Sequence, residues 1–327
     1  MNHRQRLETV LAGAQPDRVP VALWRHFPVD DQTPGILAEA IVDFQRAFDF
    51  DLVKVTPASS FCVKDWGVQD EWRGATEGTR DYTVRVVHQP EDWAKLPVLD
   101  PGVGHLGEQL DCLRRITAAL GPQVPVIQTI FSPLAQAKYL VGSGNLFVHL
   151  RQYPDALQQG LKTITESTRR FIEAAVKTGI AGIFYAVQHA QFHLLSSSEY
   201  QAYGYTYDLQ ILEPAQVLWL NMLHLHGENV MFDLFADYPV GVLNWHDRET
   251  FPDLTEGQKR FPGVVCGGLQ RERTMVLGTP EQVKAEARQA IQATGGRRFI
   301  LGTGCVVPII APRANLLAAR ESVEAAT

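Results

Sequence analysis

The chain has 327 residues and a formal net charge of −6, with 45% hydrophobic and 20% charged residues. That length suits one large α/β barrel or two ordinary domains, and the composition is typical of a soluble globular protein. No block of lysine and arginine stands out, which argues against nucleic acid as a partner, and no apolar run reaches the roughly 18 residues that a membrane-spanning helix requires.

The beginning of the chain and the cysteines indicate the compartment. Residues 4–12 predict an amphipathic helix and lack the continuous apolar stretch of a signal peptide. The four cysteines are widely spaced and form no CxxC pair: Cys62, Cys112, Cys266 and Cys305. A reduced, cytoplasmic compartment is therefore expected.

Strand and helix signals alternate along the chain. Apolar runs predict eight strands, at 19–24, 52–56, 124–131, 182–187, 217–226, 241–245, 264–269 and 299–301. Helical spacing predicts helices at 34–49, 105–120, 133–149, 154–178, 196–213, 229–237, 280–294 and 312–325. Between the second strand and the 105–120 helix, residues 58–93 predict an excursion of short elements.

This alternation predicts a single domain over residues 1–327, built as a (β/α)8 barrel. A doubly wound open sheet is the main alternative. The first strand is not followed by a GxGxxG turn, which argues against a dinucleotide-binding version of that sheet.

Two histidines end the fifth predicted strand, in the stretch VLWLNMLHLHG at 217–227. Residues i and i+2 of a strand point to the same side, so His224 and His226 should project together, and Gly227 lets the chain turn away. Two imidazoles on one side of a strand end are half of a metal site. The alternative is a hydrogen-bonded pair at the edge of a loop.

Polar side chains recur at the carboxyl ends of the other predicted strands, where the active sites of barrels lie. His246, His189 and Arg25 are candidate catalytic residues on this basis. The structural alternatives are an Arg25 that pairs with a carboxylate and a His246 that donates to a backbone carbonyl. The candidate substrate-binding residues are Gln188, His26, Gln270 and Thr303.

Cys305 follows the turn Gly302-Thr303-Gly304 after the last strand, so it should face the barrel mouth. Together with His224 and His226 it would give two nitrogens and one sulfur, a set that suits zinc with one position open. The alternative is a buried free cysteine that packs as a small apolar residue, which is also the interpretation of Cys266 inside its strand.

The last third of the chain carries a recognisable series of motifs. LNWHDRE at 243–249 and the stretch GVVCGGLQ through FILGTGC at 263–305, with LGTPEQ between them, resemble the uroporphyrinogen decarboxylase superfamily. PVALWR at 20–25, PEDW at 90–93 and SPLAQAKYLVG at 132–142 extend the resemblance over nearly the whole chain. It implies a (β/α)8 barrel.

The superfamily resemblance implies one of two activities. Decarboxylases carry RQAGRY after the first strand, an aspartate after the second and GHG in the last turn. Here the corresponding positions read RHFP at 25–28, PASS at 57–60 and GTG at 302–304. Corrinoid-linked methyltransferases bind zinc through HxCG and a late cysteine, and here HLHG at 224–227 and Cys305 match them with one histidine in place of a cysteine.

The resemblance therefore implies a zinc-dependent methyltransferase that acts on a small-molecule substrate, with a corrinoid carried by a partner protein. His224, His226 and Cys305 would hold the zinc. A porphyrinogen decarboxylase or another carboxylate-processing lyase is the first alternative. A non-catalytic corrinoid or tetrapyrrole carrier is the second.

Overall fold

The computed structural model describes residues 1–324 and is organised around parallel strands. The helices are α1 (His3–Leu11), α2 (Pro34–Phe48), α3 (Gly104–Leu120), α4 (Pro133–Val141), α5 (Ser143–Gln152), α6 (Pro154–Val176), α7 (Ser197–Tyr200), α8 (Thr206–Leu212), α9 (Leu254–Arg260), α10 (Pro280–Thr294) and α11 (Arg313–Glu321). The strands are β1 (Val53–Val55), β2 (Gln69–Glu71), β3 (Asp81–Val84), β4 (Val126–Phe131), β5 (Gly182–Val187), β6 (Met222–Leu225), β7 (Val242–Trp245), β8 (Val264–Leu269) and β9 (Phe299–Thr303).

Seven of these strands form one parallel sheet in the order β1-β4-β5-β6-β7-β8-β9. Every residue of these strands is buried, because helices cover the sheet and side chains fill its concave side. The α/β class and the parallel alternation predicted from the sequence are confirmed. After β1, strands β2 and β3 form a separate antiparallel pair. In residues 1–324, no helix is both long and apolar enough to cross a membrane.

Residues 20–22 lie between the two edges of the sheet. The backbone N–H of Leu301 donates to Pro20 at 2.8 Å and that of Ala22 donates to Leu301 at 2.9 Å, while Asp51 donates to Val21 at 2.8 Å. The predicted first strand is reduced here to a single bridge between Val21 and Leu301. Pro20 has no N–H to extend a ladder, and the N–H of Val21 donates to the Asp51 carboxylate instead.

The predicted fifth strand begins five residues too early. Residues 214–217 form a 3-10 turn in which Val217 is 76% exposed, and the strand starts at Met222. Just before this strand, the side-chain oxygen of Asn221 acts as an acceptor for the neighbouring strand, because the N–H of Ile183 donates to it at 3.1 Å. An apolar run alone cannot separate such a turn from a buried strand.

Several predicted helices are also shorter or divided. The 133–149 helix breaks at Gly142, whose φ of 91° ends α4. A π-helical turn at 201–205 interrupts the 196–213 helix, and 229–237 contains only the 3-10 turn Phe232–Phe235. The 312–325 helix ends at Glu321, and residue 325 lies outside the described residues.

Candidate metal centre

A cavity of about 420 Å³ lies at the carboxyl ends of the parallel strands. Its walls include residues from within or just after β1, β4, β5, β6 and β9: Lys54, Thr129, Phe184, His224, His226 and Cys305. Since the carboxyl ends of parallel strands meet at one edge of a sheet, residues distant in sequence converge here.

Four possible metal ligands meet at one side of this cavity. One atom from each of His224, His226, His246 and Cys305 lies within 4.8 Å of every other. The Cys305 sulfur is 3.7 Å from Nε2 of His224 and 3.7 Å from Nδ1 of His226. His246 was predicted to act on the substrate, and the structure places it as a fourth member of the cluster.

Asn244 in β7 fixes the orientation of the His224 ring. The Asn244 amide nitrogen donates to the backbone oxygens of Cys266 at 2.9 Å and Thr303 at 3.0 Å, so its oxygen is left as an acceptor. That oxygen lies 2.7 Å from Nδ1 of His224. The proton of a neutral His224 therefore sits on Nδ1, and Nε2 presents its lone pair to the cluster.

Glu249 has the same role for His246. The carboxylate lies 2.9 Å from Nδ1 of His246, which directs the Nε2 atom of that ring to the cluster. Within residues 1–324 this Nε2 has no hydrogen-bond partner, although it is buried. Burial opposes a charged ring, but Cys305 and Glu249 outweigh it and raise the pKa of His246 to about 9, so a metal ion bound here would displace the proton from Nε2.

The turn after β9 brings Cys305 to the histidines. The Thr303 hydroxyl donates to the Cys305 carbonyl at 2.6 Å, and a side chain at Gly304 would begin 2.6 Å from the His246 Cα. Only glycine permits this approach. Burial alone would raise the pKa of the Cys305 thiol, but the imidazoles, His224 foremost, hold the pKa well below its ordinary value. A thiolate is the form that binds metals.

The spacing of these atoms fits zinc. Tetrahedral zinc with bonds of about 2.3 Å to sulfur and 2.0–2.1 Å to nitrogen places sulfur and nitrogen about 3.6 Å apart. The two sulfur–nitrogen distances at Cys305 are 3.7 Å. The buried, unpartnered Nε2 of His246 supports the same conclusion, because a buried polar atom without a partner costs free energy. Imidazole nitrogen and thiolate sulfur, the donor types of this cluster, are ligands that zinc takes in proteins.

Three other predicted residues line the same cavity: Gln188, His189 and His26. The Gln188 side-chain oxygen accepts from Lys138 at 2.5 Å and from the Tyr139 hydroxyl at 3.2 Å. Burial lowers the pKa of His189 and of His26 to about 3, with nearby cations adding to the effect, so both rings are neutral.

Two cavity lysines were missed by sequence reasoning. Lys54 lies inside β1, in a run that was predicted as a strand with no site residue, and Lys138 lies inside α4. Burial lowers the pKa of Lys54 to about 7 and that of Lys138 to about 8. The available signal was a lysine between two valines in a buried strand, a position where an ammonium group is costly.

Comparison with known proteins places the chain in a family. Residues 2–326 match the family described as uroporphyrinogen decarboxylase (URO-D). The chain belongs to the uroporphyrinogen decarboxylase family. The resemblance noted from its motifs is therefore confirmed.

Relatives of this family member carry two kinds of name. Methylcobamide:CoM methyltransferase MtbA of Methanosarcina acetivorans is 23% identical over 71% of this chain and 67% of that protein. Uroporphyrinogen decarboxylase of Photorhabdus laumondii is 24% identical over 69% of this chain and 66% of that protein. A solved methyltransferase from Methanosarcina mazei has the same fold, with a TM-score of 0.86 over 98% of each chain at 20% identity. The aligned regions cover about two thirds of the two sequence relatives.

Three predicted site residues of this uroporphyrinogen decarboxylase family member do not line the cavity. The Arg25 guanidinium packs over the rings of Phe27 and Phe44, at 5.1 and 5.2 Å from their centroids. Gln270 contacts Glu249 at 3.4 Å and so lies behind the cluster. Thr303 is fully buried and shapes the turn that carries Cys305.

Proposed function

We propose that this protein is a zinc-dependent methyltransferase that moves a methyl group between a corrinoid and a small thiol. The observation that carries the proposal is the cluster of His224, His226, His246 and Cys305, with four ligand atoms within 4.8 Å of one another. The family includes relatives named as methylcobamide:CoM methyltransferases, which supports the choice of reaction.

In this proposal His224, His226 and Cys305 hold the zinc, and His246 lies within reach of the same ion. Bound zinc lowers the pKa of a substrate thiol, which supplies a thiolate at neutral pH. Asn244 and Glu249 hold two of the imidazoles with the metal-facing nitrogen free. In the transfer, the bond between the methyl carbon and its donor breaks and a carbon–sulfur bond forms, after the thiol proton has left.

Other parts of the cavity would orient the substrate. Gln188, His189 and His26 face the same space as the cluster, and the two histidines offer neutral rings that donate or accept hydrogen bonds. We assign Gln188 and His26 to substrate binding. His189 keeps its predicted catalytic role in this proposal, whereas Arg25 does not, because its guanidinium packs on phenylalanine rings outside the cavity.

Four broader expectations belong to the same proposal. The seven-stranded sheet closes through residues 20–22 into a (β/α)8 barrel, with the β2–β3 pair as the excursion. The whole chain forms one domain. A corrinoid protein delivers or receives the methyl group at the cavity mouth. The protein works in a reduced, cytoplasmic compartment, which agrees with four buried, free thiols.

A porphyrinogen decarboxylase has weaker support, although relatives with that name match at a similar sequence identity. The arginine that follows the first strand in decarboxylases corresponds to Arg25, which does not line the cavity. A carboxylate-processing lyase would also give no reason for Cys305 to lie 3.7 Å from two histidines.

The test combines metal content with turnover. Untagged protein should contain about one zinc ion per chain, and Cys305→Ser protein should lose most of it, because three ligands are the usual minimum for a catalytic site. Cys112→Ser serves as the control, since Cys112 is also buried but lies in α3. Methylcobalamin with a panel of small thiols then gives the activity, followed by the absorbance change of the corrinoid. A zinc-free wild-type protein, or full activity in Cys305→Ser protein, would refute the proposal.

A further inference from the structure

The loop at 72–80, which joins β2 to β3, lies over the cavity. Glu77, Thr79 and Arg80 of this loop are part of the cavity wall. Residues 73–76 of the same loop are exposed to solvent. The loop therefore has one side toward the cavity and one toward water, so it forms part of the cover of the cavity.

Backbone contacts hold the tip of this loop against two other loops. The N–H of Ile309 donates to the Thr76 carbonyl at 2.8 Å. Gly78 packs so closely on His26 that a Cβ there would lie 2.4 Å from the His26 Cβ, and its φ of 81° also favours glycine. Glu77 lies between these two contacts, which together set its position.

Arg271 joins Glu77 to the metal cluster. Its Nη1 donates to the Glu77 carboxylate, and its Nε lies 3.5 Å from Oε1 of Glu249. The other carboxylate oxygen of Glu249 lies 2.9 Å from Nδ1 of His246. A series of alternating charges therefore runs from the covering loop to an imidazole of the cluster.

The charges of this series are only partly exposed to water. The side chain of Arg271 is 12% exposed, and those of Glu77 and Glu249 are 30% and 27% exposed. Within residues 1–324, Arg271 is the one cation that forms an ion pair with Glu77. Gln270 also contacts Glu249, at 3.4 Å, but carries no charge. Because partly buried charges are screened less than exposed ones, the loss of Arg271 would leave two carboxylates without their shared partner.

We propose that Arg271 is a positioning residue that ties the loop at 72–80 to the metal ligand His246 through Glu249. With this bridge made, the loop stays over the cavity and Glu249 holds the ring that faces the metal. Metal binding and closure of the loop then favour each other by the same factor, because coupling between two sites is reciprocal. The coupling rests on the proposed zinc site, whereas the tie between the loop and Glu249 needs no metal.

Hydrogen exchange of the full-length, chelator-treated protein, followed by mass spectrometry, tests the tie without metal. Arg271→Met should speed exchange in residues 72–80 about three- to tenfold, because the loop loses its ion pair. Glu249→Gln should speed it in the same direction, although Glu249 lies outside the loop. Arg273→Met is the matched control, since Arg273 is an exposed arginine of the same turn, and exchange should stay within about twofold of wild type. Exchange in the central strands β4, β5 and β6 is the internal reference for a folded protein.

Competition with a chelator for zinc tests the coupling. Glu77→Gln and Arg271→Met should each weaken zinc binding about three- to tenfold, which is less than the effect of removing a group that contacts a ligand directly. The double variant should bind zinc no more weakly than Arg271→Met alone, because both changes break one bridge. Glu71→Gln should leave the affinity unchanged, since Glu71 lies in β2 and pairs with the exposed Arg73. Added zinc should slow exchange in residues 72–80 of the wild type but not of Arg271→Met.

Three results would overturn the inference. Unchanged loop exchange in Arg271→Met, or equal acceleration in Arg273→Met, would refute the tie. Faster exchange in Arg271→Met with the wild-type rate in Glu249→Gln would also refute it, because Arg271 would then act on Glu77 alone. Normal zinc affinity in Glu77→Gln protein would refute the coupling and leave the proposed zinc site intact.

Failure of the proposed function has a different signature. A wild-type protein that binds no zinc would refute the metal site and with it the coupling. The exchange rates of Arg271→Met and Glu249→Gln protein would still decide whether the bridge holds the loop.

Discussion

Replacing Asp51 with asparagine tests the contact that joins residues 20–22 to the sheet. The carboxylate is fully buried just before β1. It accepts from Arg6 at 2.7 Å, from Arg18 at 2.7 Å and from the backbone N–H of Val21 at 2.8 Å. His3 lies 3.1 Å away. The change therefore keeps the shape but removes the charge from four contacts.

The pKa of Asp51 sets the size of the effect. Burial raises this pKa, but the hydrogen bonds from His3 and Arg18 and the charge of Arg18 outweigh it and hold the pKa at about 2, below the ordinary 3.8. Such a shift is worth about 2 kcal/mol of folding free energy at neutral pH. In Asp51→Asn, Arg6 retains Asp17 as a partner. The variant should therefore lose less folding free energy than the roughly 3–5 kcal/mol lost when a buried ion pair is completely broken.

The sign of the pH dependence follows from the lowered pKa. The ionised carboxylate stabilises the folded state above the ordinary pKa, and this stabilisation is lost as the pH falls through the folded-state value of about 2. Urea unfolding at pH 7, 4 and 3 measures it. The difference between wild type and Asp51→Asn should be about 2 kcal/mol at pH 7 and about half of that at pH 3.

Asp43→Asn is the control for this experiment, since Asp43 is exposed on α2. It should change the free energy of unfolding by less than about 0.5 kcal/mol at each pH. Zinc content should be unaffected in both variants, because Asp51 precedes β1 and the cluster follows the opposite strand ends. Equal stability of Asp51→Asn and wild type at pH 7, or a difference that stays constant down to pH 3, would show that the charge of this carboxylate does not stabilise the fold.

Three further substitutions test the site and the packing. His246→Ala should abolish most activity and change the free energy of unfolding by no more than about 1 kcal/mol. A large fall in Tm with normal turnover would show instead that His246 has a structural role. Asn244→Ala should lower zinc affinity about 10- to 100-fold in chelator competition, and unchanged affinity would contradict its role in orienting a ligand. Gly160→Ala should lower the free energy of unfolding in urea by about 1–3 kcal/mol, because a Cβ there would lie 2.3 Å from the Trp93 ring. Gly144→Ala is its control, and it should leave this free energy nearly unchanged because the space around Gly144 is open.

The sequence alone predicted the parallel α/β class and which strand ends carry histidine or cysteine. His224 and His226 lie two residues apart, so the strand period already placed both on one side. Cys305 follows a glycine-rich turn after the last strand, and the carboxyl ends of parallel strands share an edge. These inferences needed only local periodicity and one rule of topology.

The tertiary structure decided which side chains enter the cavity. Lys54 faces it from inside a valine-rich strand, whereas Arg25 packs on phenylalanines. Asn244 acquires its role only because Cys266 and Thr303, from two other strands, accept its N–H groups. Inward or outward orientation depends on register and on the curvature of the whole sheet, which arise from contacts between residues far apart in the chain. A linear pattern contains the period of a strand but not the side of the sheet that each of its residues will face.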